Sequence, residues 1–169
     1  QVLNQEKVKE LAARPNICIL CGHYEGVDER IIEEYVDEEI SCGDYVLTGG
    51  ELGALVLTDA VGRLCDGVLS EDVCFEDESH YSGLLEYPQY TRPAVYKGME
   101  VPEVLLSGNH ENIRKWRLKK RLEKTLKNRP DMIWSARQTG MLSLEAEKMI
   151  EEITEQISLK NVKNKKRKK

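Results

Sequence analysis

The chain has 169 residues, of which 40% are hydrophobic, so it can bury the core of one domain or of two small ones. No apolar stretch approaches the roughly 18 residues of a transmembrane helix, which argues against a membrane protein. The polar start, QVLNQEKVKE, predicts that there is no signal peptide, and we therefore expect a cytoplasmic protein.

The first predicted elements are a short helix and a strand. Asn4 is placed to cap a helix that runs through Ala12. The apolar face of this helix carries Val8 and Leu11. After a break at a proline, Ile17–Leu20 has the apolar run of a buried strand.

Two further helices and a weaker strand follow. The pattern predicts a helix over Asp28–Tyr35, with acidic residues suited to its first turn, and a weak strand over Asp37–Ser41. Glu51–Leu64 is the strongest helix of this half. The residues expected on its buried face are Leu52, Leu55, Val56 and Ala60. Strands alternating with helices predict an α/β layer with a parallel sheet, in which ligands bind at the carboxyl ends of the strands.

Two turns that contain glycine lie at these predicted strand ends. Ser41–Gly53 reads SCGDYVLTGGELG, and Cys21–Gly26 reads CGHYEG. Glycine lets a ligand approach the backbone closely, and a helix start offers free N–H groups. Two interpretations stay open: a ligand held largely by backbone, or two ordinary strand-to-helix turns. Neither G-x-x-x-x-G-K-[ST] nor G-x-G-x-x-G occurs, so the common nucleotide-binding motifs give no support.

The middle of the chain is predicted to be irregular. Residues 70–79 read SEDVCFEDES, with five acidic residues and no period, which is typical of a linker or mobile loop. Prolines then interrupt any regular element, in the pairs Tyr87-Pro88, Arg92-Pro93 and Val101-Pro102.

The last part of the chain is predicted to be helical. A helix starts at the N-cap Asn109 and stops at Pro130, and a second runs from Ser143 to Ile157. The apolar positions expected in the core are Ile113, Trp116, Leu118, Leu122 and Leu126 on the first helix, and Leu144, Met149, Ile150 and Ile153 on the second. The final ten residues, KNVKNKKRKK, carry seven positive charges and are expected to fray.

The five cysteines are an odd number in a chain without secretory features. They are Cys18, Cys21, Cys42, Cys65 and Cys74. Reduced cytosolic thiols are the simplest account. Cys18 and Cys21 form a C-x-x-C pair that is compatible with redox chemistry or half a zinc site, but the sequence holds no second such pair. Buried thiols are therefore favoured over a metal site.

The net charge of −5 hides a strong asymmetry, with −15 over residues 1–90 and +10 over residues 91–169. Residues 110–129 hold nine Lys or Arg and two Glu. Few acids balance these cations at helical spacing, so phosphate binding is favoured over a merely solvated face. The candidate RNA-contacting residues are Arg114, Lys115 and Lys119. Trp116 is expected in the core more than in base stacking.

Five segments of the chain, in order, resemble the TrmD family, which comprises the bacterial tRNA (guanine-N1)-methyltransferases of the SPOUT class. They read CGHYEGVDERI, DEEISCGDYVLTGGELGALVLTDAVGRL, GLLEYPQYTRP, VPEVLLSGNHENIRKWR and NRPDMI. The resemblance covers about residues 1–135. It implies transfer of a methyl group from S-adenosylmethionine to the guanine immediately 3′ of the anticodon.

The resemblance also implies a cofactor site in a trefoil-knotted parallel sheet, read mainly by backbone groups. In the first turn the matching positions are Gly22, Tyr24, Glu25 and Gly26. In the second they are Cys42, Gly43, Asp44, Tyr45, Val46, Leu47, Gly49 and Gly50. The two tyrosines have an alternative role as packing residues. Mg²⁺ is a further cofactor that the sequence neither requires nor excludes.

The chemistry needs a general base, because N1 of guanine carries a proton at neutral pH. Arg63 matches an arginine of the family that would stabilise charge on the guanine O6, with capping of a helix as its alternative role. The base of the family is an aspartate before a serine in the linker. Here Glu78 precedes Ser79, and Asp77 is the alternative base.

The resemblance implies a homodimer in which the linker of one subunit closes over the cofactor of the other. The expected organisation is a partial cofactor domain over 1–69, a linker over 70–79, a helical tRNA-binding domain over 80–158 and a basic disordered tail over 159–169. The family chain begins earlier, so we expect that the first strands of the sheet are missing here. The competing interpretation is an RNA-binding module without catalysis.

Overall fold

The structure is a computed structural model that describes residues 1–68, 79 and 83–167, with side chains described through residue 159. The chain divides into two compact units, Gln1–Cys74 and Phe75–Lys169. Within the described residues, no helix is long and apolar enough to cross a membrane.

The described residues of the first unit form three helices, α1 (Gln5–Ala12), α2 (Glu29–Tyr35) and α3 (Glu51–Gly62). Each begins at or within one residue of its predicted start; the predicted cap Asn4 forms, Asp28 caps α2, and α3 starts after Gly50 without a side-chain cap. The Asn4 side chain accepts a hydrogen bond from the N–H of Lys7 at 2.9 Å, and Asp28 accepts one from the N–H of Arg30 at 3.0 Å.

The core of this unit lies between α1 and α3. Its buried residues are Val8, Leu11, Leu57 and Val61. The prediction for α1 is therefore confirmed, but the predicted face of α3 is wrong, because Leu52, Leu55 and Val56 are exposed. The helix reads ELGALVLTDAVG and is apolar on most sides, so its pattern does not single out one face.

The predicted strands of this unit do not form a sheet in the described residues. Ile17–Leu20 pairs with no other strand there, and Ile19 and Leu20 are exposed. Ser41 makes one parallel bridge to Val2: its N–H donates to Gln1 at 2.7 Å, and its carbonyl accepts from Leu3 at 2.8 Å. A strand is stable only where a neighbouring strand satisfies its backbone groups, which an apolar run cannot guarantee.

The first regular element in the described residues of the second unit is a hairpin that the sequence prediction missed. Strands β1 (Val95–Tyr96) and β2 (Met99–Glu100) pair antiparallel. Lys97 and Gly98 connect them with φ of 51° and 78°, the positive values that a two-residue type I′ turn needs. Because prolines lie on both sides of this turn, the sequence analysis predicted an irregular segment.

Four helices follow: α4 (Glu103–Leu106), α5 (His110–Asn128), α6 (Pro130–Gln138) and α7 (Leu144–Arg167). Asn109 caps α5 as predicted, accepting from the N–H of Asn112 at 3.1 Å. Pro130 does follow the end of α5, but it also starts α6, because proline is tolerated at the first helical position. Sequence reasoning did not predict α6.

Helix α7 continues to Arg167, whereas the prediction ended it at Ile157 and left the basic tail without structure. No glycine or proline interrupts KNVKNKKR, and cations are favourable at the C-terminal end of a helix dipole. The core of this unit is formed by Leu84, Leu122, Ile133, Ala146, Ile150 and Ile153. Leu144, predicted in the core, is 85% exposed because it starts the helix on the solvent side.

Candidate functional site

The two glycine turns of the first unit meet. The N–H of Gly50 donates a hydrogen bond to the carbonyl of Gly22 at 3.1 Å, and His23 and Gly49 form an antiparallel bridge. We call these four residues the turn junction. The junction joins the two segments that the sequence analysis had singled out separately.

Glycine is required at position 50 by a close approach of the backbone. A Cβ atom there would lie 2.9 Å from the Cα of Cys21 and 3.3 Å from the N of Gly22. Real Cβ atoms do not approach backbone this closely, so any side chain at position 50 would push the two turns apart. The glycine thus serves the contact between the turns, and its expected role in the approach of a ligand stays a prediction.

A contact between a histidine and a carboxylate, which the sequence analysis missed, reinforces the junction. His23 lies against the carboxylate of Glu51, the first residue of α3. A carboxylate is favourable in the first turn of a helix. In the sequence, His23 follows Gly22 and Glu51 follows Gly50. A histidine and a glutamate directly after these two glycines are the signal from which the pair could have been predicted.

The second turn is organised by its own side chains. The N–H of Gly43 donates to the hydroxyl of Ser41 at 3.2 Å, and the Tyr45 hydroxyl donates to the carbonyl of Cys42 at 3.4 Å. A Cβ at Gly43 would lie 2.6 Å from the Tyr45 ring, so this ring lies directly on the turn. Tyr45 therefore packs on the turn, as its alternative interpretation expects, and its role in cofactor binding stays a prediction.

Other predicted cofactor residues are open to solvent. Tyr24 is 100% exposed and adopts a φ of 55°, and Val46 is 97% exposed. Glu25, Gly26, Asp44 and Leu47 are exposed as well. The turns thus present side chains and backbone that a ligand can reach.

Of the three predicted catalytic residues, Arg63 is described, and it is not brought to the junction. Arg63 is the C-cap of α3, and the twelve residues of that helix span about 18 Å. The junction lies at the other end of α3, so an arginine side chain of the same chain cannot reach it along this helix. Glu78 and Asp77 lie outside the described residues.

The cysteines show no metal-site geometry in the described part of the chain. Cys18, Cys21, Cys42 and Cys65 are free, and no group of three or more His, Cys, Asp or Glu residues there could hold a metal ion. Cys18 is exposed, which differs from the expected buried strand thiol because the strand itself does not form.

The basic surface of α5 is partly neutralised. The Arg114 guanidinium pairs with Glu111 and with Glu145 of α7, each at 2.9 Å, and Lys115 lies 3.4 Å from Glu111. The expectation of few balancing acids was therefore wrong for Arg114 and Lys115. Glu145 is far away in sequence, so only the packing of α7 on α5 could show its contribution. Among the described residues, Lys119 has no carboxylate partner.

Trp116 is not part of the core cluster. Its half-buried ring lies 6.3 Å from the ring of Tyr90 and 6.0 Å from the Nζ of Lys120. The expectation of a core tryptophan is wrong, because the buried positions of α5, such as Leu122, pack on α6 and α7 without Trp116.

The pairs around Arg114 predict an acid-sensitive stability. Arg114 and, less strongly, Lys115 lower the pKa of Glu111 to about 2. A lowered folded-state pKa gives stability that is complete above about pH 4.5, the ordinary value, and is lost as the pH falls towards 2. We expect Arg114→Gln to flatten the fall of the melting temperature over this range.

The matched control is Lys119→Gln, which removes the same charge from α5 without breaking an ion pair of the described residues. It should leave the acid dependence of the melting temperature unchanged. If the melting temperatures of wild type and Arg114→Gln depended equally on pH, the proposed role of these pairs would be contradicted.

A second prediction concerns the junction. Gly50→Ala should destabilise the first unit by about 1–3 kcal/mol, because the new methyl group overpacks backbone that cannot move independently. Gly62→Ala, at the other end of α3, meets nothing within 4 Å and should stabilise by about 0.5–1 kcal/mol. Chemical denaturation measures both, and amide exchange at position 50 reports the junction itself. Similar effects for the two variants would be inconsistent with a packed junction.

Comparison with known proteins places the chain in a family. A model of the family described as tRNA (Guanine-1)-methyltransferase TrmD matches residues 1–135, and the chain belongs to this family. The resemblance noted from the motifs is thereby confirmed.

Curated relatives agree, and each is named tRNA (guanine-N(1)-)-methyltransferase. The relative from Treponema denticola is 62% identical over 149 residues, which are 88% of this chain and 61% of the relative. The one from Ruminiclostridium cellulolyticum is 64% identical over 132 residues, 78% of this chain and 57% of the relative. The one from Alkaliphilus oremlandii is 58% identical over 130 residues, 77% of this chain and 52% of the relative. The chain thus spans 52–61% of the lengths of these relatives.

Proposed function

We propose that this protein is the part of a methyltransferase that transfers a methyl group from S-adenosylmethionine to N1 of the guanine immediately 3′ of the anticodon in tRNA. The observation that carries the proposal is the family match over residues 1–135, which includes both glycine turns. The junction supports it, because the hydrogen bond from Gly50 to Gly22 unites the segments that would hold one cofactor.

S-Adenosylmethionine supplies an electrophilic methyl group on a sulfonium sulfur. We propose that exposed groups of the two turns hold it. They are Gly22, Tyr24, Glu25 and Gly26 in the first turn and Cys42, Gly43, Asp44, Tyr45, Val46, Leu47, Gly49 and Gly50 in the second. This site would belong to the trefoil-knotted α/β sheet of the SPOUT class. The openness of Tyr24 and Val46 fits a surface that a ligand, further chain or both would cover.

The separation of Arg63 from the junction supports a homodimer. Arg63 lies about 18 Å along α3 from Gly50. In a dimer of the kind that the resemblance implies, the linker of a second subunit can approach the cofactor of the first. The residues that act on the guanine would then lie close to the methyl group of the cofactor, although the two sets of residues belong to different subunits.

We propose that residues 80–158 bind the tRNA. The positive charge of the second half and the exposed basic residues of α5 support this, since cations release counterions when they meet phosphates. Of the three candidates, Lys119 is free of described carboxylates, whereas Arg114 and Lys115 share acids. A tRNA methyltransferase of this kind would act in the cytoplasm, and a requirement for Mg²⁺ can be tested in the same assay.

The decisive experiment measures cofactor binding by calorimetry and methyl incorporation into tRNA. It uses this chain, and also the chain extended at its N-terminus with the corresponding segment of the Treponema denticola relative. A tRNA with guanine 3′ of the anticodon should be methylated, and the same tRNA with adenine there should not be. Absence of both cofactor binding and methylation in the extended protein would refute the proposal. RNA binding without protection from thermal unfolding by S-adenosylmethionine would favour the non-catalytic RNA-binding module.

A further inference from the structure

A cavity of about 390 Å³ opens at the start of α5, within the second unit. Such a volume lies within the range of small-molecule sites. The residues that carry the argument are Tyr87, His110, Ile113, Arg117, Leu118 and Arg121. We call this the Arg117 cavity.

Arg117 is held in place by an aromatic ring. Its guanidinium carbon lies 4.7 Å from the centroid of the Tyr87 ring, the geometry of a cation–π contact. Arg117 is exposed and has no carboxylate partner among the described residues. Its charge is therefore available, while its orientation is already restricted by the ring.

The neighbouring Arg114 differs in this respect. It also borders the cavity, but its guanidinium forms ion pairs with the carboxylates of Glu111 and Glu145, each at an N–O distance of 2.9 Å. These acids fix the wall of the cavity, whereas Arg117 is a cation of its lining with no carboxylate partner among the described residues. Ile113 and Leu118 add an apolar surface beside it.

This combination favours one kind of ligand. A flat ring can stack on an arginine–tyrosine pair and cover aliphatic side chains, and a phosphate joined to that ring through a ribose can accept hydrogen bonds from Arg117 and His110. Paired bases in a duplex cannot enter, because both of their faces are stacked already. An acidic peptide would satisfy the cation but has no ring for the stacking surface.

We propose that the Arg117 cavity binds one unstacked nucleotide of single-stranded RNA, as a site separate from the position of methyl transfer. The inference rests on the proposed function in taking RNA as the ligand. It adds a specific prediction: the second unit distinguishes an exposed base from a paired one.

The test compares binding of a short single-stranded RNA with binding of a blunt duplex of equal charge to the full chain, by fluorescence anisotropy at one fixed salt concentration. Tyr87→Leu should weaken binding of the single strand about tenfold and leave the duplex unchanged, since stacking of one base is lost. Tyr87→Phe keeps the ring and should restore single-strand affinity. Lys124→Gln, an exposed charge further along α5, should weaken both RNAs in the same proportion.

Equal losses for single strand and duplex, or no rescue by Tyr87→Phe, would overturn the proposal. So would displacement of the single strand by a poly-glutamate peptide as effectively as by unlabelled RNA. If Tyr87→Leu fails to fold, Arg117→Gln at an exposed side chain must show the same loss of preference. Methylation is measured separately: an inactive extended protein whose Tyr87 variants still lose single-strand binding would refute the proposed function and leave this inference standing.

Discussion

Replacing Glu78 with glutamine is expected to lower the single-turnover methylation rate by at least about 100-fold, with cofactor affinity nearly unchanged. Glu78 precedes Ser79 in the segment that the resemblance identifies as the linker. The amide keeps the size of the side chain but cannot accept the N1 proton of guanine. Because a positioned base accelerates by about 10²- to 10⁴-fold, its loss raises the barrier by roughly 3–5 kcal/mol.

The control for this variant is Asp77→Asn, which removes one carboxylate from the neighbouring position and should have a much smaller effect. The extended protein is mixed in excess with tRNA and saturating S-adenosylmethionine, and the chemical step is followed in one turnover. A severe loss in Asp77→Asn with a mild one in Glu78→Gln would move the base by one residue. Normal rates in both variants would mean that the proton leaves by another route.

Arg63→Gln is expected to reduce the same rate by about 10²- to 10³-fold, the usual cost of removing one donor that stabilises developing negative charge. Deprotonation of N1 places that charge on the guanine O6, and a guanidinium can stabilise it. Arg63→Lys keeps the charge but loses the planar pair of donors, so we expect an intermediate rate.

The alternative role of Arg63 predicts different results. As the C-cap residue of α3, its charge can stabilise the helix dipole by about 0.3–1 kcal/mol. A purely structural arginine would lower the melting temperature in Arg63→Gln and leave the chemical step unchanged. We expect the reverse: a small shift in melting temperature, unchanged cofactor affinity and a large loss of rate.

The local signals of the sequence predicted the helices well. The N-caps Asn4, Asp28 and Asn109 all form their hydrogen bonds, because a cap depends only on residues within one turn. Helix α6 was missed because one local signal, Pro130, has two interpretations. Proline was read only as a stop, although it suits the first turn of a new helix equally well.

Tertiary contacts decided which faces are buried. Leu57 and Val61 of α3 pack on α1, whereas Leu52 and Leu55 do not, and no periodicity in so apolar a helix could distinguish them. The same holds for charge on α5. Glu145 pairs with Arg114 across 31 positions of sequence, so the neutralisation depends on how α7 packs.

The sequence by itself determined the family, because the motifs that carry it are contiguous runs of residues. It also identified both glycine turns as candidate ligand-binding segments. Only the tertiary structure decided what Gly50 does there, since its hydrogen bond to Gly22 and its approach to Cys21 join residues that lie almost thirty positions apart. Strand pairing likewise depends on partners elsewhere in space, which is why Ile17–Leu20 reads as a strand in the sequence and pairs with none in the described structure.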